Sequence, residues 1–173
     1  MTATRGRYKQ ARFMIEEKQS PRLDIYKAWP EGYRAVGTLQ AAVDNSGLEH
    51  SLMELVKTRC SQVNGCAYCL DMHTKDARAA GETEQRLYAL SAWRETPFFT
   101  PRERAALALA ESITLVAETH VPDDVIEEAG EWFKPDELAK LVFVIVTINV
   151  WNRLAVTGRT PVGGYVSKKT VRG

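Results

Sequence analysis

The sequence predicts an all-α domain, on three observations. Gly and Pro are few and fall between stretches of helix length. Apolar residues within those stretches recur three and four positions apart instead of alternating. Start and stop signals bracket several of them. A chain of 173 residues suits one domain whose core stands without disulfides or metal. Its apolar share of 45% and charged share of 26% place it with ordinary globular proteins.

The first helix is expected from about Pro30 to Asn45, ended by Ser46-Gly47. A second runs from Leu48 to about Asn64, with Gly65 as its stop. Its residues Leu48, Leu52, Leu55, Val56, Cys60 and Val63 keep the helical period, and Arg59 interrupts the stripe. A third spans Cys66 to Ala80 and stops at Gly81; Thr83 then caps a short helix, with Arg86 where a capping box would have a carboxylate. Thr100-Pro101-Arg102-Glu103 combines a capping Thr, Pro at the first helical position and Glu three residues after the cap. The helix it starts shows Ala106, Leu109, Ala110, Ile113 and Val116 on one face, and residues 122–132 form another short helix.

The last helix, about Pro135 to Val156, contains the β-branched run Leu141-Val-Phe-Val-Ile-Val-Thr-Ile148. That run alone favours a strand, but its length and the Asp136-Glu137 start favour a helix. Its apolar residues go all the way round, so burial on every side is expected, in part beneath another subunit.

Charge is uneven although the net is only +1. Residues 1–22 carry six Lys/Arg against two Glu, and residues 153–173 carry five and no acid. The chain therefore divides into a basic N-terminal extension (1–22), a mildly acidic helical domain (23–157) and a basic C-terminal tail (158–173). Solvated tails or arms on an acidic neighbour are expected, not nucleic-acid binding. No apolar stretch follows the basic N-terminus as in a signal peptide, and the longest apolar run, Leu141 to Val146, is too short for a bilayer. A cytoplasmic protein with no membrane association is expected. Its three cysteines then read as catalytic, metal-binding or incidental.

The chemistry concentrates between Glu54 and His73. Cys66 falls at the start of the third helix, Cys69 three residues on and His73 four further, so with Ala77 and Ala80 they share one face. A helix N-terminus favours a thiolate. A second thiol within a turn can resolve an oxidised first thiol into a disulfide, and a His one turn below can move its proton. Glu54 lies on the preceding helix in a polar stripe with Ser51, Thr58 and Ser61, read as free of Lys and Arg, and can orient His73. Singly, each residue has a plainer account: buried Cys as a small hydrophobe, His as structure, Glu as surface. Together they favour a thiol-redox site; Cys60 belongs to the apolar stripe and reads as packing. Zinc is the weaker alternative: Cys66, Cys69, His73 and Glu54 supply four ligands, but a second ligand pair would have to come from His50 and His120. No strand–helix–strand pattern surrounds the cysteines, which argues against a thioredoxin fold.

The order Glu54, eleven residues, Cys66, two residues, Cys69, three residues, His73 resembles the alkylhydroperoxidase D-like (AhpD-like) branch of the carboxymuconolactone decarboxylase family. The stretches Ser61-Gln-Val-Asn-Gly-Cys-Ala-Tyr-Cys-Leu-Asp-Met-His-Thr-Lys-Asp-Ala-Arg78, Arg86-Leu-Tyr-Ala-Leu-Ser-Ala-Trp-Arg94, Phe99-Thr-Pro-Arg-Glu-Arg-Ala-Ala-Leu107 and Asn149-Val-Trp-Asn-Arg153 resemble it too. The likeness covers about residues 23–157. It implies an AhpD-like helical bundle that oligomerises through its helices into trimers or hexamers. It implies a thiol-dependent hydroperoxide reductase, an antioxidant peroxidase, with no bound cofactor or metal. Carried over, Cys69 attacks the peroxide, Cys66 donates a proton and resolves the intermediate as a Cys66–Cys69 disulfide, and His73 with Glu54 relays protons. Electrons then come from an external dithiol, in family members a lipoyl-bearing protein. Some members have His between the cysteines where this chain has Tyr68, a poor base at neutral pH, so the relay is expected to be weaker or differently routed. A non-enzymatic thiol sensor or disulfide-exchange protein would use the same residues. A decarboxylase is less expected, because those relatives generally lack the paired cysteines.

Overall fold

The computed structural model describes residues 20–167, which form helices and loops without a strand. The helices are α1 (Ile25–Ala28), α2 (Pro30–Asp44), α3 (His50–Val63), α4 (Ala67–Ala79), α5 (Glu84–Ala89), α6 (Pro101–Thr114), α7 (Val116–Thr119), α8 (Asp123–Trp132) and α9 (Pro135–Gly158). A 3-10 segment, Leu90–Glu95, continues α5. The all-α expectation holds. The single-turn helices α1 and α7 were not anticipated, since one turn is too short to show a period.

Local chemistry explains the starts and stops. Thr83 accepts from the Arg86 backbone N–H, and Thr100 and Glu103 form the reciprocal capping box. Arg86, odd beside Thr83, bonds Glu82 and Glu103 and lies over the Phe99 ring, clamping the start of α5 to that of α6. Arg59, which breaks the apolar stripe of α3, donates to Glu111 at 2.7 Å across the α3–α6 seam, and Trp93 donates to the same oxygen. Burial and three donors compete at Glu111, and the donors hold its carboxyl below the usual range.

Helix α3 is the central element and packs against α4, α6 and α9. Within the single chain α3 is enclosed on most sides, whereas part of α9 is left open on the face where cover by another subunit was expected. Phe143 and Val146 on the outer face of α9 are 55% and 40% exposed. The reason is position: α9 packs against α2, α3, α4, α6 and α8, and these two side chains are left outside that packing. By length and composition alone α9 is long and apolar enough to cross a membrane, a test that core helices also pass. Inside the fold it carries buried Asn149 and Asn152 bonded to α6 and α3, as the core helix of a folded domain does.

The chain ends bear on the site. The Gly158 carbonyl accepts the Arg22 and Leu23 backbone N–H groups, and a Cβ at Gly158 would sit 2.8 Å from the Leu23 carbonyl, so that contact requires Gly. Residues 160–167 pass alongside α4: Lys75 donates to the Tyr165 carbonyl, and the Tyr165 and Ser167 hydroxyls donate to Asp76. The rest of both basic ends, 1–19 and 168–173, lies outside the described residues.

Candidate redox site

The site begins at the turn between α3 and α4. Gly65 adopts a φ of 64°, its N–H bonds the Gln62 carbonyl and the Cys66 N–H bonds the Ser61 carbonyl. This αL closure of α3 delivers Cys66 directly to the N-cap of α4. There the Cys66 sulfur accepts the Cys69 backbone N–H at 3.4 Å. The two sulfurs are 2.7 Å apart, unbonded and buried. They share a proton. The hydrogen bond from Cys69 pulls the Cys66 thiol down to about 7, against the opposing effect of burial. Cys69 is pushed up, first by giving its proton to that bond and then by burial. Cys60, away from the pair, is pushed up to about 12 by burial and sits against the Ala110 carbonyl within the core.

On the other side of Cys69 stands the acid–base pair. His73 Nδ1 lies 2.8 Å from Glu54 Oε2. A carboxylate only accepts, so Nδ1 carries the hydrogen in this bond. His73 Nε2 is buried without a protein partner. Glu54 is 0% exposed, and its Oε1 faces Lys57 Nζ at 3.4 Å and His50 Nε2 at 3.5 Å. Lys57 also reaches Asp44. The polar stripe of α3 is therefore not free of cations: Lys57 is buried in it, while Ser51 is exposed. A buried carboxylate needs a counter-charge, which α3 supplies one turn away.

Glu54, Cys66, Cys69 and His73 thus come together, and Ala77 continues their face under cover. Among the described residues, the set near enough to hold a metal is Glu54, His73 and Asp76, with ligand atoms within 4.8 Å of one another. The thiols are outside it. His50 stands beside Glu54, whereas His120 is an exposed αL cap of α7.

Cys69 and His73 border a cavity of about 560 Å³ walled by Tyr26, Tyr33, Tyr68 and Trp151; Cys66 is set behind Cys69 and does not line it. The segments before α2 and after α9 complete the wall. Burial, and then the Tyr68 and Cys69 charges, raise Tyr33, while burial followed by Cys69 raises Tyr68, so both remain phenols. Sequence reading missed Lys57 and the cavity aromatics Tyr26 and Tyr33, and it noted Trp151 only within the stretch Asn149–Arg153. Lys57 had a local signal, its place one turn after Glu54.

The carboxymuconolactone decarboxylase family model matches residues 30–112. An uncharacterized Bacillus subtilis protein, YdfG, is 43% identical over 137 residues, covering 79% of this chain and 93% of that one. A solved Agrobacterium tumefaciens protein of unknown function, whose name links it to the antioxidant defence protein AhpD, is 42% identical with a TM-score of 0.82, covering 84% of this chain and 100% of that chain. The debrominase Bmp8 shares the fold at 19% identity and a TM-score of 0.71, over 78% of this chain and 73% of its own. With the paired cysteines, the helical architecture and these likenesses together, the chain belongs to the carboxymuconolactone decarboxylase family, in its alkylhydroperoxidase D-like branch.

Proposed function

We propose that the protein is a thiol-dependent hydroperoxide reductase. The observation that carries this reading is a buried thiol pair, sulfurs 2.7 Å apart, of which Cys69 alone meets the cavity beside His73. In the proposed cycle the Cys69 proton passes to the Cys66 thiolate as Cys69 attacks the outer peroxide oxygen. The O–O bond breaks, and the leaving alkoxide takes that proton back from Cys66. Cys69 is now a sulfenic acid. Cys66 attacks its sulfur, forms the Cys66–Cys69 disulfide and expels hydroxide, which takes its proton through His73. Glu54 orients His73, and Lys57 and His50 balance Glu54.

An external dithiol returns two electrons and two protons. Both sulfurs are buried, so a slender dithiol arm such as a lipoyl group suits the cavity. The exposed Phe143–Val146 face suits assembly of copies into a trimer or hexamer, and a cytoplasmic setting keeps the pair reduced. A disulfide-exchange protein or sensor would use the same thiols, but a cavity opening on Cys69 alone favours a small-molecule substrate. The deciding experiment follows peroxide-dependent oxidation of dihydrolipoamide by wild type and Cys69→Ser. Turnover in the wild type and none in the variant is expected. No turnover in either, with a Cys66–Cys69 disulfide still forming, would favour exchange or sensing.

A further inference from the structure

The cavity over Cys69 carries a charge pattern that thiol chemistry does not itself require. Four carboxyl side chains line it: Asp24 at the cap of α1, Asp44 at the end of α2, Glu54 of α3 and Asp76 of α4. Against them, Lys57 is the one Lys or Arg in the wall among the described residues. Its ammonium is already engaged, 3.3 Å from Asp44 Oδ1 and 3.4 Å from Glu54 Oε1. Asp24 pairs with Lys27, whose side chain is largely exposed and lies outside the wall. Asp76 accepts from the Tyr165 and Ser167 hydroxyls, neutral donors that leave its charge in place. His50 and His73 both face Glu54, and counting both as protonated still leaves the acids in excess. The rest of the wall is largely aromatic and held in place. Tyr33 meets Tyr26 and Trp151 edge-on, at 5.3 and 5.0 Å between ring centres. Trp151 donates to Gln40 at 3.0 Å, and Gln40 donates to Asp44 at 2.8 Å, which ties the rings to the acids.

We propose that this cavity selects its small-molecule partners by charge: uncharged organic hydroperoxides and dithiols with an apolar body enter, and carboxylate-bearing ones are turned away. The proposal rests on the thiol-redox reading and names the substrate class for it. Size is the first reason. The cavity holds about 560 Å³, against roughly 30 Å³ for a water molecule, and hydrogen peroxide is little larger than water. An organic body fills that space and buries its apolar surface on the rings. Charge is the second reason. An anion entering the cleft gives up hydration and meets walls that already carry excess negative charge. A cleft lined by one sign of charge focuses that field at its mouth. The same filter acts on both halves of the cycle, because peroxide and dithiol reach Cys69 through one cavity. A lipoyl group on a carrier protein is amide-linked and uncharged, whereas free lipoate keeps its carboxylate.

The test compares two reductants that differ only in that charge. The Cys66–Cys69 disulfide is formed with diamide, and its reduction is timed with dihydrolipoamide and with dihydrolipoate. Each gives two electrons and two protons to the disulfide and closes to its own cyclic disulfide. At low ionic strength the uncharged dithiol is expected to react about tenfold faster. The ratio should shrink as salt is added, and fall towards one in the double variant Asp24→Asn, Asp44→Asn. The control Glu127→Gln, Glu128→Gln removes two exposed acids of α8 outside the cavity wall and should leave the ratio unchanged. Equal rates in the wild type, or a ratio that the control lowers as much as the cavity variant does, overturn the proposal. Should the cavity variant fail to fold, a wild-type ratio that ignores salt overturns it. Should no disulfide form, alkylation of the reduced pair by iodoacetamide and iodoacetate, each relative to an uncharged cysteine model, gives the same comparison. In the peroxidase assay cumene hydroperoxide should outpace its para-carboxy analogue by a similar factor. A protein that turns over no peroxide but keeps the dithiol ratio would lose the peroxidase reading and keep the charge filter, and turnover with equal rates for both charges would do the reverse.

Discussion

Cys66 and Cys69 occupy one helical turn, yet their protonation is opposite. Cys66 accepts two bonds from Cys69, one from N–H and one from S–H, while Cys69 gives its proton away. This has a consequence for stability. The Cys66 thiol ionises near 7 when folded and near its ordinary 9.0 when unfolded, so between these values the unfolded chain binds the extra proton and stability rises with pH. Above pH 9 the sign reverses, because folded Cys69 keeps a proton that the unfolded chain loses. Thermal melts of the reduced protein from pH 6 to 10 should show this maximum, and Cys66→Ala should remove the rise. Lys57 is the second residue with a sharp expectation. Lys57→Met leaves Glu54 buried with less counter-charge and is expected to lower stability by about 3 kcal/mol in denaturant titrations; an unchanged midpoint would show that His50 and His73 suffice. Glu54, Cys66, Cys69 and His73 were legible because they share the period of two consecutive helices. Lys57 was overlooked because a cation on α3 reads as solvated until the packing of α4 covers it.

At the scale of the element, the Gly65 turn decides where the thiols sit. Gly65 has φ of 64° with open space around its Cβ position, so Gly65→Ala meets backbone strain and no clash. A loss of about 1 kcal/mol is expected, with the Cys66 step moving upward as the cap loosens. His120 shows the converse. It is an exposed residue at φ 53° closing α7, and His120→Gly should raise the melting temperature by a few degrees, corresponding to about 0.5–1 kcal/mol. A lower temperature would mean that the imidazole makes a contact worth more than the strain. Helix α9 shows how composition misleads. Its apolar residues go all the way round, yet its buried face also carries the amides of Asn149 and Asn152, bonded to α6 and α3, and its outer face is open within the chain.

At the scale of the whole molecule, the outer face of α9 and the cavity remain to be accounted for together. Phe143 and Val146 lie on one exposed stripe. If copies assemble there, Phe143→Asp should reduce the sedimenting mass, whereas a wild type that sediments as a monomer would leave the stripe without that purpose. The cavity is built from parts remote in sequence: aromatic residues of α1, α2, α4 and α9, and the crossing at Gly158 that brings the segment around Leu23 against the end of α9. Local sequence was enough to set the helices, the turn at Gly65 and the grouping of Glu54, Cys66, Cys69 and His73. Each of these depends on dihedral preferences, caps and periodicity within a few residues. Packing alone decided that Cys69 faces the cavity while Cys66 lies behind it, that Lys57 is enclosed, and that Asn152 of α9 meets Ser61 and Asn64 at the end of α3. Those outcomes depend on which helices meet and at what distance, and no local preference along the chain encodes that.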